Sequence, residues 1–278
     1  MAANMLKAVV FDMDSTLLHI NLNAFIVLLA KDESHLLAEA GRTSDVRTLA
    51  AFGSGLWAVN YGEGISPYED GQAYGAHHDR TLKDIFNDAF ENACGIPLDD
   101  PTVADMLTYY EREVLPHRNN PVVGARPAEG AREAIELVQN RGLRIALFTN
   151  PSFTDACIHA RMGWGGLSDV PFELVTCMEN SSRCKPTSSY YLNSLGTLGL
   201  APEEVLMVGN DRRRDFPSSD IGLQTAFIGR GSPVRATWSG SMAEFAASFD
   251  EIEENFYIRE ELGVPEDADQ EGDQEGRS

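Results

Sequence analysis

Cysteine is scarce in this chain, with four in 278 residues: Cys94, Cys157, Cys177 and Cys184. None stands in a CxxC pair or at a metal-ligand spacing, which argues against a disulfide framework or a zinc ribbon. Long apolar runs are missing too. The longest, Ala24-Phe25-Ile26-Val27-Leu28-Leu29-Ala30, falls far short of the roughly 20 residues a membrane-spanning helix needs. Basic residues are outnumbered, 22 Lys and Arg against 43 Asp and Glu, for a formal net charge of −21. That balance argues against nucleic acid, which is held by clustered lysine and arginine, and against an anionic membrane surface. No signal peptide is visible ahead of the first strand-like run, so the expected compartment is the cytoplasm. No internal repeat is apparent.

What is present is a patterned globular chain. Its 43% hydrophobic content suffices for a sizeable core in one or two domains. From residue 143 onward, strand-like runs at 143–148, 172–176, 204–208 and 225–228 alternate with helical patterns at 155–162 and 190–198, and a further element is expected at 216–222. A helix over 127–140 precedes them, with Ala131, Ala134, Ile135 and Val138 in helical spacing. Such alternation implies βαβ units and a doubly wound parallel sheet. The run Ala8-Val9-Val10-Phe11 is continuously apolar, as in a strand covered on both faces, and is expected inside the sheet.

Residues 20–123 read differently. Helical patterns at 23–40, 82–93 and 102–115 dominate, and Gly53-Ser54-Gly55 and Gly62-Glu63-Gly64 look like turns. The expected organisation is a core of residues 1–19 and 124–258, a helical cap of residues 20–123 inserted after the first strand, and an acidic tail at 259–278. The tail has almost no large apolar groups and is expected to be disordered.

The chemistry collects at strand ends. Asp12 and Asp14 follow the first strand, sharing a face while Met13 points away, with Thr16 close by. Thr149 and Asn150 end a second apolar run, and Gly209-Asn210-Asp211 through Asp215 ends a third. Lys185-Pro186 stands where a helix should start, with the proline suited to its first turn. Ligands in open parallel sheets bind outside such strand ends. With these four motifs in this order, the sequence resembles the haloacid dehalogenase superfamily.

The resemblance implies a Rossmann-like core with a helical cap, and phosphatase chemistry. Asp12 would be the nucleophile forming an aspartyl-phosphate, and Asp14 the acid and base. Thr149, Asn150 and Lys185 would hold the phosphoryl oxygens. Mg2+ would lie on Asp12, the main-chain carbonyl of Asp14 and Asp211, as a hard ion suited to oxygen ligands. Thr16, Asn210 and Asp215 are supporting residues, with Asp215 orienting Lys185. The family loop often reads Gly-Asp, so Asn210 is an alternative to Asp211 at the metal. Ser15 stands where many relatives have glycine and is given little weight.

Asp14 favours phosphoryl transfer over carbon–halogen cleavage, whose enzymes generally lack the second acid. The cap lysines Lys31 and Lys83 lie in no motif for phosphonate cleavage. The expected partner is a small phosphorylated metabolite; the oligomeric state is open. A phosphomutase using the same residues, and a catalytically silent binding protein, are the rival readings. Among weaker signals, His77-His78 and Arg212-Arg213-Arg214 read as surface, Gly163-Trp164-Gly165-Gly166 as a turn with an anchoring aromatic, and Trp57, Tyr61 and Tyr68 as cap core more than substrate contacts.

Overall fold

The computed structural model describes residues 6–41, 43–62 and 80–262, with side chains described as far as residue 256. Among these, a five-stranded parallel sheet has the order β4-β1-β5-β6-β7: β1 is Ala8–Phe11, β4 Arg144–Leu147, β5 Val205–Gly209, β6 Gln224–Ile228 and β7 Ala236–Gly240. β1 pairs with β4 on one side and β5 on the other, which accounts for its unbroken apolar run. Its side chains alternate between two layers. Ala8 and Val10 join Val205 and Met207 against Tyr190, Tyr191 and Leu195 of α7 (Ser188–Leu198). Val9 and Phe11 join Leu206 and Val208 in the larger cluster, which includes α5 (Ala131–Asn140), α8 (Met242–Ala247) and α9 (Phe249–Leu262). Phe11 meets Phe245 edge to face at 6.4 Å.

The strand at the β4 edge is shorter than its sequence pattern. Of residues 172–176, only a bridge between Val175 and Leu147 forms, with Leu174 and Thr176 exchanging main-chain bonds with Leu147. Residues 216–222 form bends instead of a regular element. β7 and α8, capped by Ser241 and Glu244, complete the sheet edge, and α9 continues to Leu262, four residues into the segment read as tail.

Two short strands, β2 (Leu18–His19) and β3 (Arg126–Pro127), pair antiparallel and bring together the start and end of the helical insertion. Within it lie α1 (Leu22–Gly41), α2 (Asp45–Tyr61), α3 (Leu82–Cys94) and α4 (Pro101–Tyr109), followed by a π-helical turn at Tyr110–Val114. Local signals set their limits: Ser44 caps α2, a Thr81–Asp84 capping box starts α3, and Asp100 followed by Pro101 starts α4. The Gly53-Ser54-Gly55 cluster is not a turn but the middle of α2. A Cβ on Gly55 would come within 2.6 Å of the Phe86 ring, so the glycine lets α2 lie close on α3. No helix among the described residues is long and apolar enough to cross a membrane.

Candidate active site

β1, β4 and β5 end side by side, so the residues following them meet at one edge of the sheet. Asp12 extends the ladder by one bond, its N–H donating to the Val208 carbonyl at 2.8 Å. The chain then turns sharply: the Met13 carbonyl accepts from the N–H groups of Thr16, Leu17 and Leu18, and Met13 packs into the core. Ser15 adopts φ +67° in this turn, the left-handed region that glycine enters at little cost. Ser15, at a position where many relatives have glycine, therefore sits where backbone strain is stored.

Asp12, 8% exposed, lies between two groups. Its Oδ1 accepts from Lys185 Nζ at 2.9 Å and its Oδ2 from the Thr16 hydroxyl at 3.1 Å. Lys185 Nζ also donates to Asp215 Oδ1 at 2.7 Å, and Asp215 Oδ2 accepts from the Asp211 N–H at 2.7 Å. Burial works against the charge on Lys185, but the facing Asp12 and Asp215 carboxylates outweigh it and hold its pKa well above the usual lysine value. Burial pushes Asp215 up to about 6, against the pull of Lys185. Gly209 makes the closeness of Asp215 possible, since a Cβ there would collide with the Asp215 carboxyl.

Lys185 does not start a helix as its spacing implied. The Lys185–Pro186 peptide is cis, and α7 begins at Ser188, capped by the Thr187 hydroxyl. Asn150 holds this loop, its Oδ1 accepting from the Lys185 N–H at 3.2 Å. The Thr149 carbonyl accepts from the hydroxyls of Tyr190 and Thr176, which fixes the end of β4.

Asn210 and Asp211 diverge. Asn210 Oδ1 accepts from the Thr16 hydroxyl at 3.2 Å, so it lies on the same hydroxyl as Asp12. Asp211 is exposed, and its Oδ1 accepts from the Arg213 N–H at 2.8 Å.

Asp12 and Asp14 both line the cleft but have different partners. Asp14 Oδ2 accepts from Arg161 Nη1 at 2.6 Å, while its Oδ1 is buried without a hydrogen bond among the described residues. Arg161 comes from α6 (Asp155–Trp164), is fully buried, and lies 5.0 Å and 4.7 Å from the ring centroids of Phe25 and Phe153. Burial raises the Asp14 pKa, with Arg161 pulling it back.

Arg161 was not singled out in the sequence; its only trace there is a charge on the apolar side of a short helix. Asn60 was missed as well. From α2 its Oδ1 accepts from Asn150 Nδ2 at 3.0 Å and from the Ser152 hydroxyl at 2.8 Å, which links the insertion directly to the strand-end residues. Trp57 and Tyr61, read mainly as cap core, are 62% and 65% exposed on the cleft wall, because α2 buries its other face. Tyr68 and His77-His78 lie outside the described residues. Arg212 donates to the Arg230 carbonyl and stacks over Phe227, and Trp164 donates to the Pro116 carbonyl. The cleft between these walls has a volume of about 860 Å³.

A parallel sheet of this order, with an acid, a lysine and a second acid chained at its strand ends, defines a class. The family model for haloacid dehalogenase-like hydrolases matches residues 6–218, and the chain belongs to that family. Among curated proteins, it is 29% identical over 141 residues to the N-acetylmuramic acid 6-phosphate phosphatase of Pseudomonas aeruginosa, covering 50% of this chain and 59% of that protein. It is 24% identical over 132 residues to the pyrophosphatase PpaX of Halalkalibacterium halodurans, covering 48% of this chain and 59% of that one. The matched region thus spans less than two thirds of either relative. Among solved structures, the β-phosphoglucomutase of Clostridium difficile shares the fold with a TM-score of 0.52 at 16% identity, over 93% of this chain and 100% of that one.

Proposed function

We propose that this protein is a Mg2+-dependent phosphatase of a small phosphorylated metabolite, acting through an aspartyl-phosphate on Asp12. The observation that carries the reading is the buried chain Asp215–Lys185–Asp12 at the floor of the cleft. Lys185 donates to Asp12 and is placed to meet phosphoryl oxygens, with Thr149 and Asn150 beside it. The relatives named as phosphatases support the same class.

Asp12 attacks phosphorus, and Asp14, whose burial favours its protonated form, gives its proton to the leaving oxygen. The same carboxylate then takes a proton from the water that releases phosphate. Asp215 holds Lys185 in position throughout. The Asp12 and Asn210 oxygens that converge on the Thr16 hydroxyl suit a hard cation; together with the Asp14 carbonyl, Asp12 and either Asn210 or Asp211 would hold Mg2+, the Thr16–Asn210 bond favouring Asn210. When bound, that ion supplies positive charge to the phosphoryl group. The helical insertion serves as the cap that selects the leaving group, with Asn60, Trp57 and Tyr61 on its face of the cleft.

The test is phosphate release from a panel that includes sugar phosphates and pyrophosphate, with Mg2+ and with chelator, for the wild type and Asp12→Asn. Metal-dependent release that disappears in Asp12→Asn is expected. Release that survives the substitution overturns the nucleophile assignment, and a dependence on bisphosphate activators would identify a mutase instead.

A further inference from the structure

The insertion and the core also meet at a smaller cavity of about 80 Å³, which contains none of the strand-end acids. Glu33 from α1, Glu111 from the π-helical turn and Cys157 from α6 line it, with one oxygen, oxygen and sulfur atom respectively all within 4.8 Å of one another. All three are buried, at 7%, 8% and 1% exposure. Glu111 Oε1 accepts from the Thr154 hydroxyl at 2.8 Å and from the Cys157 thiol at 3.3 Å. Glu33 Oε1 has no hydrogen-bond partner among the described residues.

The charges around this pair are mostly negative. Asp32 and Glu179 add to the field at Glu33 and Glu111. Lys83 lines the same cavity, but its Nζ donates to Glu179, and Arg161 on α6 is taken by Asp14. Two buried carboxylates without a cation are costly, and burial drives Glu33, Glu111 and the Cys157 thiol toward their protonated forms.

We infer that Glu33, Glu111 and Cys157 form a binding site for a borderline divalent cation of the zinc class, separate from the phosphoryl site. The donor set decides the class. Hard ions such as Mg2+ take oxygen alone, whereas one thiolate with two carboxylates suits Zn2+. Tetrahedral zinc with bonds of about 2.0–2.3 Å spaces its ligand atoms by roughly 3.3–3.8 Å, within the observed spread. The cavity exceeds the ~30 Å³ share of one water in the liquid, so an ion and a water as fourth ligand fit. On binding, the thiol proton and the proton carried by the carboxyl pair leave to solvent, and thiolate and carboxylates bond the ion. Glu33 and Glu111 belong to the insertion and Cys157 to the core, so the ion ties one to the other. Leu56, Ser152 and Phe153 line both this cavity and the catalytic cleft.

The experiment uses the full chain, stripped with chelator, dialysed, and held in excess Mg2+. Zn2+ is titrated against a chromophoric chelator. One equivalent is expected, with proton release, at an affinity reduced at least tenfold in Cys157→Ser and Glu33→Gln and unchanged in Asp12→Asn. Co2+ should give thiolate-to-metal charge-transfer absorption that Cys157→Ser abolishes and Cys177→Ser keeps. Wild type that takes up no Zn2+ beyond its Mg2+ site, or absorption that persists in Cys157→Ser, overturns the inference. Anomalous scattering at the zinc edge from wild-type crystals needs no variant: a peak among the three residues supports the site, and a peak only elsewhere refutes it. None of these readouts depends on phosphatase activity.

Discussion

In the proposed mechanism Asp14 is the acid, and Arg161 is the side chain that bears on it most directly. Its charge is the main influence opposing the rise that burial imposes on the Asp14 carboxyl. Removing it in Arg161→Met should therefore raise that pKa further. An acid must be protonated to deliver its proton, so the alkaline limb of the kcat profile should move to higher pH. A rate lowered equally at every pH would mean that Arg161 only fills space. Ser15 makes a simpler case: Ser15→Gly relieves a left-handed side chain and should raise stability by up to ~1 kcal/mol in denaturant unfolding. Gly209→Ala should do the opposite to function. Displacing Asp215 frees Lys185, and kcat should fall by ~10²-fold or more, as when one oxyanion partner is lost, alongside a loss of Tm from crowding at the buried Asp215.

At the scale of elements, α2 forms one wall of the cleft. Asn60 is its contact with the strand-end residues, so Asn60→Leu leaves Asn150 and Ser152 short of an acceptor. With about 0.5–1.5 kcal/mol per hydrogen bond, kcat/KM should drop roughly two- to tenfold. Rates that change for small substrates and large ones alike would place the effect on Asn150 alone, and a loss confined to large leaving groups would place it on the cap face. The sequence hid α2 because two glycines looked like a turn; the Phe86 ring explains Gly55, while Gly53 faces open space. Residues 172–176 erred the other way. Their apolar alternation reads as a strand, yet the segment lies at the sheet edge and makes only a bridge and a few bonds.

Over the whole molecule, the net charge of −21 opposes any anionic substrate. Raising ionic strength from about 0.01 to 0.15 M shortens the screening length from roughly 30 to 8 Å, so KM for a phosphate ester should fall as salt rises over that range. A rise in KM would show that Lys185 and Arg214, both lining the cleft, dominate the field that a substrate meets. Much of the large-scale plan was legible beforehand, because the parallel sheet and its strand-end motifs follow from local patterns: apolar runs for strands buried on both faces, and turn and acid residues where those strands stop. The strand-end positions of Asp12, Asn150 and Asn210 needed nothing more than that. What the chain order cannot carry is the meeting of residues far apart in sequence. Arg161 on Asp14 and the choice between Asn210 and Asp211 beside Thr16 arise only when distant parts of the core fold together, and Asn60 on Asn150 and the cluster of Glu33, Glu111 and Cys157 only when helices of the insertion pack on the core. Those contacts depend on shape complementarity between buried surfaces, which no spacing along the chain encodes.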